Sequence, residues 1–238
     1  MQPTTFVLVH SPSVGPATWR PVAARLEAAG HRVRVPSLLH VGDGGPPFWP
    51  RVADAVRADL SGLPDDSPVV LVVHSNAGLF LPVIRTALAG RPVTASVLVD
   101  AALPSRTGPT TAAPPGLLAL LRPLADERGR LPRWTDWWDE ADVAALFADA
   151  ADPAIRRTVT DEQPRLPLAY YEQRVPAPTG WDDHPCSYLL FAPPYEDAAA
   201  DAAERGWTVA RLPGEHLHQL VDPAGVARAL TELALGTR

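Results

Sequence analysis

Apolar residues in this chain follow two rhythms. Short, nearly continuous runs rich in β-branched side chains, TFVLV (5–9), SPVVLVV (67–73), TASVLVD (94–100) and CSYLLFA (186–192), predict buried strands. HRVRVP (31–36), which alternates enough to lie near a sheet edge, and WTVARL (207–212) predict two more. Between them apolar positions recur at three- and four-residue intervals. TWRPVAARLEAAG (18–30) predicts a helix with Thr18 as cap, Pro21 in the first turn and Gly30 as stop. In FWPRVADAVRADLSG (48–62), Trp49, Val52, Val56 and Leu60 share one face, and GLFLPVIRTALAG (78–90) forms the helix after the third strand. A short alanine-rich helix ends near Gly206, and DPAGVARALTELAL (222–235) closes the chain. Strands that are apolar throughout need cover on both faces, so the alternation predicts an α/β fold with a mostly parallel sheet.

The rhythm breaks over residues 104–185. This stretch is proline-rich and offers helices without convincing strands, so it reads as a helical lid inserted into a core made of 1–103 and 186–238. LPRWTDWWDEADVAALF within it carries Trp134, Trp137 and Trp138, whose spacing suits an apolar substrate tunnel and a lid helix packing its own face equally, with lid packing expected for at least two of them.

Composition narrows the chemistry. The net charge of −6 has no basic block, which argues against nucleic acid or a membrane as partner. All 21 basic residues are arginine, so neither Schiff-base chemistry nor a phosphate-loop lysine is available. The single Cys186 excludes an internal disulfide and a cysteine zinc cluster, and no metal or other cofactor is expected. Without a leader-like start or a membrane-length apolar run, the expected location is cytoplasmic.

In an open parallel sheet, ligands sit at the carboxyl ends of the strands. Those ends carry His10-Ser11, His74-Ser75, Asp100, Glu196-Asp197 and His216. A serine hydroxyl is a weak nucleophile until a base takes its proton, and the base needs an acid to fix its tautomer. HSNAG alone is equally a strand-to-helix turn with a capping serine. Its pairing with LPGEHLHQLVDP, in the loop after the last strand, favours catalysis, with His216 rather than His218 as base. His10 reads as a structural end to the first strand. Asp100, which also suits a turn cap, competes with Glu196 and Asp197 for the acid, and Asp100 is preferred. YYEQR (170–174) is expected to help wall the pocket.

FVLVHSPSVGPATWRPVAARLEAAGHRV, VVLVVHSNAG, VLVDAALP and LPGEHLHQLVDP together resemble the α/β-hydrolase superfamily, nearest its methylesterase and hydroxynitrile lyase branch. The resemblance implies that fold, with a lid between the family's sixth and seventh strands. It makes Ser75 the nucleophile and His216 the base. Three departures stand out. Val73 occupies a position that is glycine in the family elbow, and its branched side chain there is expected to crowd the turn. Pro12 stands where a backbone N–H helps bind the oxyanion, and proline has none. That leaves the Asn76 N–H and a hydroxyl of Ser11 or Ser13 as donors. Pro193-Pro194 lies where the family acid is expected, so Glu196 and Asp197 come late.

The leading expectation is a serine hydrolase for an ester, thioester or lactone of a hydrophobic small molecule. A lyase or cyclisation catalyst using His216 as base is the second. Ser11 supports it, but Leu217, where those lyases carry lysine, does not. A decayed ligand-binding protein is the third, and a homodimer is compatible with an apolar lid.

Overall fold

A computed structural model describes residues 4–147, 152–191 and 193–236. Residues 148–151 of the expected lid and Ala192 of an expected strand fall outside these. Among the described residues the main sheet has six strands: β1 (Thr5–Val9), β2 (Arg32–Arg34), β3 (Val69–His74), β4 (Val93–Val99), β7 (Cys186–Leu190) and β8 (Thr208–Arg211). Their order is β2-β1-β3-β4-β7-β8, and every pairing is parallel. β2 lies at an edge, as its mixed pattern implied.

The two faces explain the unbroken apolar runs. Val7 and Val9 of β1 and Val69, Leu71 and Val73 of β3 point into one core cluster, whereas Phe6, Leu8, Val70 and Val72 point into the other. Successive side chains of a strand alternate between faces, so a strand buried on both must be apolar at every position. The first cluster is covered by α2 (Trp49–Asp59) and α3 (Leu81–Ala87), the second by α1 (Arg20–Ala28) and α10 (Pro223–Leu235).

Local signals hold with one correction. Gly30 ends α1 at φ +89°, a conformation that side chains with a Cβ resist. Thr18, however, does not cap α1. It belongs to the preceding 3₁₀ turn Pro16–Thr18 and donates to Gly15 O at 2.8 Å, and α1 starts after Trp19. The start of α2 is instead satisfied from afar, where Gln173 Oε1 accepts the N–H groups of Phe48 and Trp49, both at 3.0 Å.

Between β4 and β7 the chain leaves the main sheet. It forms α4 (Pro115–Leu121), α5 (Glu140–Phe147), α6 (Pro153–Glu162) and α7 (Leu168–Glu172). It is not without strands: β5 (Thr110–Thr111) pairs antiparallel with β6 (Arg174–Val175). Two residues give too little alternation to read from sequence. The tryptophans do not share one helix either. Trp134 and Trp137 bound a 3₁₀ turn and Trp138 is extended. After β7 come α8 (Glu196–Glu204), β8, α9 (His218–Val221) and α10.

Candidate active site

The topology switches direction at β1 and β3, which places their carboxyl ends side by side. Ser75 follows β3 directly, at φ 59°, and opens the helical turn Ser75–Phe80. Asp100 follows β4, at φ 43°. These are the non-glycine residues with positive φ among those described, at adjacent strand ends. Left-handed backbone costs a side-chain-bearing residue on the order of 1–3 kcal/mol, so the surroundings must over-determine it.

They do. Asp100 N–H donates to Leu189 O at 2.8 Å, and Asp100 Oδ1 accepts the Phe191 N–H at 3.0 Å. The Tyr188 hydroxyl clamps the next residue, accepting Ala101 N–H at 2.9 Å and donating to Ala101 O at 2.6 Å. Ala102 N–H then donates to Ser75 O at 3.0 Å, tying the two strand ends together. Gly78 makes this possible, since a Cβ there would collide with Ala102 O and Ala101 Cβ.

The loop after β8 brings His216 over this pair. Its Nδ1 lies 2.6 Å from Asp100 Oδ2 and its Nε2 lies 2.9 Å from Ser75 Oγ. Asp100 is fully buried and the His216 side chain is 12% exposed. The carboxylate accepts the Nδ1 proton, which leaves Nε2 free to accept from serine. The imidazole is itself sandwiched: Tyr195 stacks on one side at 5.1 Å and 13°, His74 on the other at 4.7 Å and 29°. His74 Nε2–H donates to His216 O at 3.0 Å. Burial, then the neighbouring His216, holds the His74 pKa well below its usual value, so His74 stays neutral.

The rival acids stand elsewhere. Glu196 opens α8 on the surface and binds Arg211 through both oxygens, at 2.7 and 2.9 Å, an ion pair that lowers its pKa. Asp197 is exposed beside it. His218 packs its ring edge-on against Phe191 at the start of α9. His10 is fully buried: Nδ1–H donates to Ser11 O at 2.8 Å and Nε2 accepts Leu38 N–H at 3.0 Å. Both ring nitrogens are used, and burial lowers its pKa to about 4. Val73 sits fully buried in the β3 ladder while Ser75 still reaches His216, so the expected crowding is absorbed.

A cavity of about 790 Å³ opens above Ser75. Ser11, Ser13 and Asn76 line it on the β1 and β3 side. Pro12 lies inside the turn closed by Val14 N–H to Ser11 O at 3.0 Å, and Ser13 Oγ contacts Tyr171 OH at 2.5 Å. The Asn76 side chain is pinned by Tyr170 OH at 2.6 Å and by Ala112 O at 2.8 Å. Its backbone N–H belongs to the first turn of the helical segment, where no intrahelical acceptor exists. Trp134, Trp137 and Trp138 all face the cavity. Packing was expected to claim at least two of them outright. Trp134 and Trp137 do pack against core clusters, yet they wall the cavity at the same time. Among the described lining residues none is arginine, and the acidic ones are Asp142 and Glu215.

Tyr195, Tyr188 and Gly78 were not singled out from sequence. A glycine three residues after the serine was a legible signal for Gly78. The two tyrosines carried none, because only the sheet order brings their hydroxyls to β3 and β4.

Comparisons with known proteins bear on the family and the fold. The model of the alpha/beta hydrolase family matches residues 6–229. Methylesterase 1 of Arabidopsis thaliana is 37% identical over 84 residues, which are 33% of this chain and 32% of that protein, so the match spans about a third of the relative. An extracellular α/β-hydrolase from a Paenibacillus species superposes with a TM-score of 0.77 at 19% identity, over 98% of this chain and 100% of that one. Polyneuridine aldehyde esterase gives 0.73 at 17% identity, over 98% and 99%. At such identities the solved structures speak for the fold alone. Matched from its first strand into its last helix, the chain belongs to the alpha/beta hydrolase family.

Proposed function

We propose that this hydrolase is a cofactor-independent serine esterase acting on uncharged, hydrophobic small molecules with an ester, thioester or lactone carbonyl. The observation that carries the reading is the unbroken relay from Asp100 through His216 to Ser75, at 2.6 and 2.9 Å. His216 takes the Ser75 proton as Oγ attacks the carbonyl carbon, then passes it to the leaving oxygen as that bond breaks. Water, deprotonated in turn by His216, hydrolyses the acyl-enzyme and restores Ser75. Asp100 fixes the tautomer and stabilises the transient imidazolium without taking the proton.

The oxyanion would be met by Asn76 N–H and, because Pro12 offers none, by the Ser11 hydroxyl. One such donor is worth about 3–4 kcal/mol in a transition state. Aromatic walls favour an apolar substrate. Asp142 and Glu215, with no arginine opposite, disfavour an anionic one and hasten departure of the carboxylate product. The esterase names of Methylesterase 1 and polyneuridine aldehyde esterase support the reaction class.

A fluorophosphonate probe tests the reading. Wild-type protein should gain the probe's mass at Ser75, whereas Ser75→Ala and His216→Ala should not. Well-folded wild-type protein that stays unlabelled would rule the proposal out.

A further inference from the structure

We propose that Tyr195 is a further catalytic residue, whose hydroxyl donates to Ser75 Oγ as that oxygen is expelled from the acyl-enzyme. The inference rests on the serine-esterase reading above. Tyr195 ends the 3₁₀ turn Pro193–Tyr195 after β7, in the loop that carries Glu196, the alternative acid for His216. That loop delivers a phenol instead. Its ring lies nearly parallel to the imidazole, and its OH is 3.3 Å from Ser75 Oγ.

The direction of this hydrogen bond follows by elimination. His216 Nδ1–H is engaged by Asp100, so Nε2 accepts, and the one proton of Ser75 is committed to it. Tyr195 must therefore donate and Ser75 Oγ accept. Burial pushes the phenol up to about 12, so it stays a donor across the working pH range.

Distance decides when the bond matters. At 3.3 Å it is longer than the usual O–H···O separation of roughly 2.7–2.8 Å, so it is weak in the resting enzyme. It tightens when negative charge builds on Oγ. During acylation the phenol already bonds Oγ in the resting serine, and Oγ passes the electrons it gains to the carbonyl carbon, so the contact changes little between ground state and transition state. During deacylation the water oxygen bonds that carbon and His216 Nε2 takes the water proton. The C–Oγ bond then breaks with its electron pair on Oγ, and Nε2 returns the proton to Oγ. Tyr195 keeps its own proton throughout and stabilises the oxygen as it departs. A contact stronger in the transition state than in the ground state accelerates the step.

The test follows p-nitrophenyl butyrate turnover by rapid quench and intact-protein mass spectrometry in wild type, Tyr195→Phe and Tyr195→Leu. Tyr195→Phe keeps the ring on His216 and removes only the hydroxyl. It should slow deacylation about five- to tenfold, the value of one hydrogen bond, and leave acylation within twofold, so that acyl-Ser75 accumulates. Tyr195→Leu, which also loses the stack, should slow both steps. Deacylation at the wild-type rate in Tyr195→Phe, or equal slowing of both steps, overturns the role of Tyr195 while the acylated serine upholds the esterase. Wild-type protein that never acylates Ser75 overturns both.

Discussion

The loops after β4 and β7 begin at the ends of neighbouring strands, and in sequence both offer carboxylates to the same imidazole. After β4, Asp100 sits at φ 43°, fully buried, held through its N–H and its Oδ1, with Oδ2 on His216. After β7, Glu196 lies in the first turn of α8, exposed, and gripped by Arg211. An acid that orients a base must be fixed and poorly hydrated, because water would otherwise compete for both of its oxygens. Asp100 meets both conditions, and strained backbone is how its side chain is aimed. Glu196 makes the shorter route in sequence terms and fails both.

Substitutions at the two acids should break this comparison most sharply if it is wrong. Asp100→Asn presents an amide to Nδ1, favours the wrong tautomer, and should lower kcat on the order of 10⁴-fold, while Glu196→Gln should stay within twofold. Steady-state ester hydrolysis measures both, and reversed effects would move the acid to the β7 loop. Gly78→Ala comes next, because it pushes Ala101–Ala102 away from the Ser75 turn. It should cost about 1–3 kcal/mol of stability, read from the urea midpoint, and lower kcat as well. An unchanged midpoint would show that the two strand ends are not coupled through this contact.

The smallest effect separates a histidine that builds the scaffold from the one bonded to Ser75. His10, with its pKa lowered to about 4 chiefly by burial, stays neutral in the folded protein. Below pH 6.5 the unfolded chain protonates it and the folded chain does not. Stability from this group is therefore complete above pH 6.5 and lost as pH falls towards 4, by up to about 1.4 kcal/mol per pH unit. His10→Gln, whose Oε1 can still accept Leu38 N–H, should make denaturation free energy less steep against pH in that window. A slope identical to wild type would assign the acid sensitivity to other groups.

Much of this was legible in the residues themselves. Strand and helix order, the edge position of β2, Ser75 and His216 as partners and His10 as scaffold all follow from apolar periodicity and from polar residues at strand ends. What misled the reading was of two kinds. Thr18 looked like a cap because caps are recognised by type, but the helix it precedes starts two residues later. The tryptophans looked like packing residues because a large indole can have one edge in a core and one on a cavity, and spacing does not say which.

Sequence by itself determined the layered sheet and the set of groups able to move a proton, because burial on two faces and side-chain chemistry are local properties of residues. Which carboxylate serves His216, and that Tyr195 rather than an acid rises from the β7 loop, were decided by tertiary structure. Those choices depend on how far adjacent strand ends lie apart and which way a strained backbone turns. Both are set by contacts between segments more than a hundred residues apart, such as Asp100 with His216 and Ser75 with Tyr195.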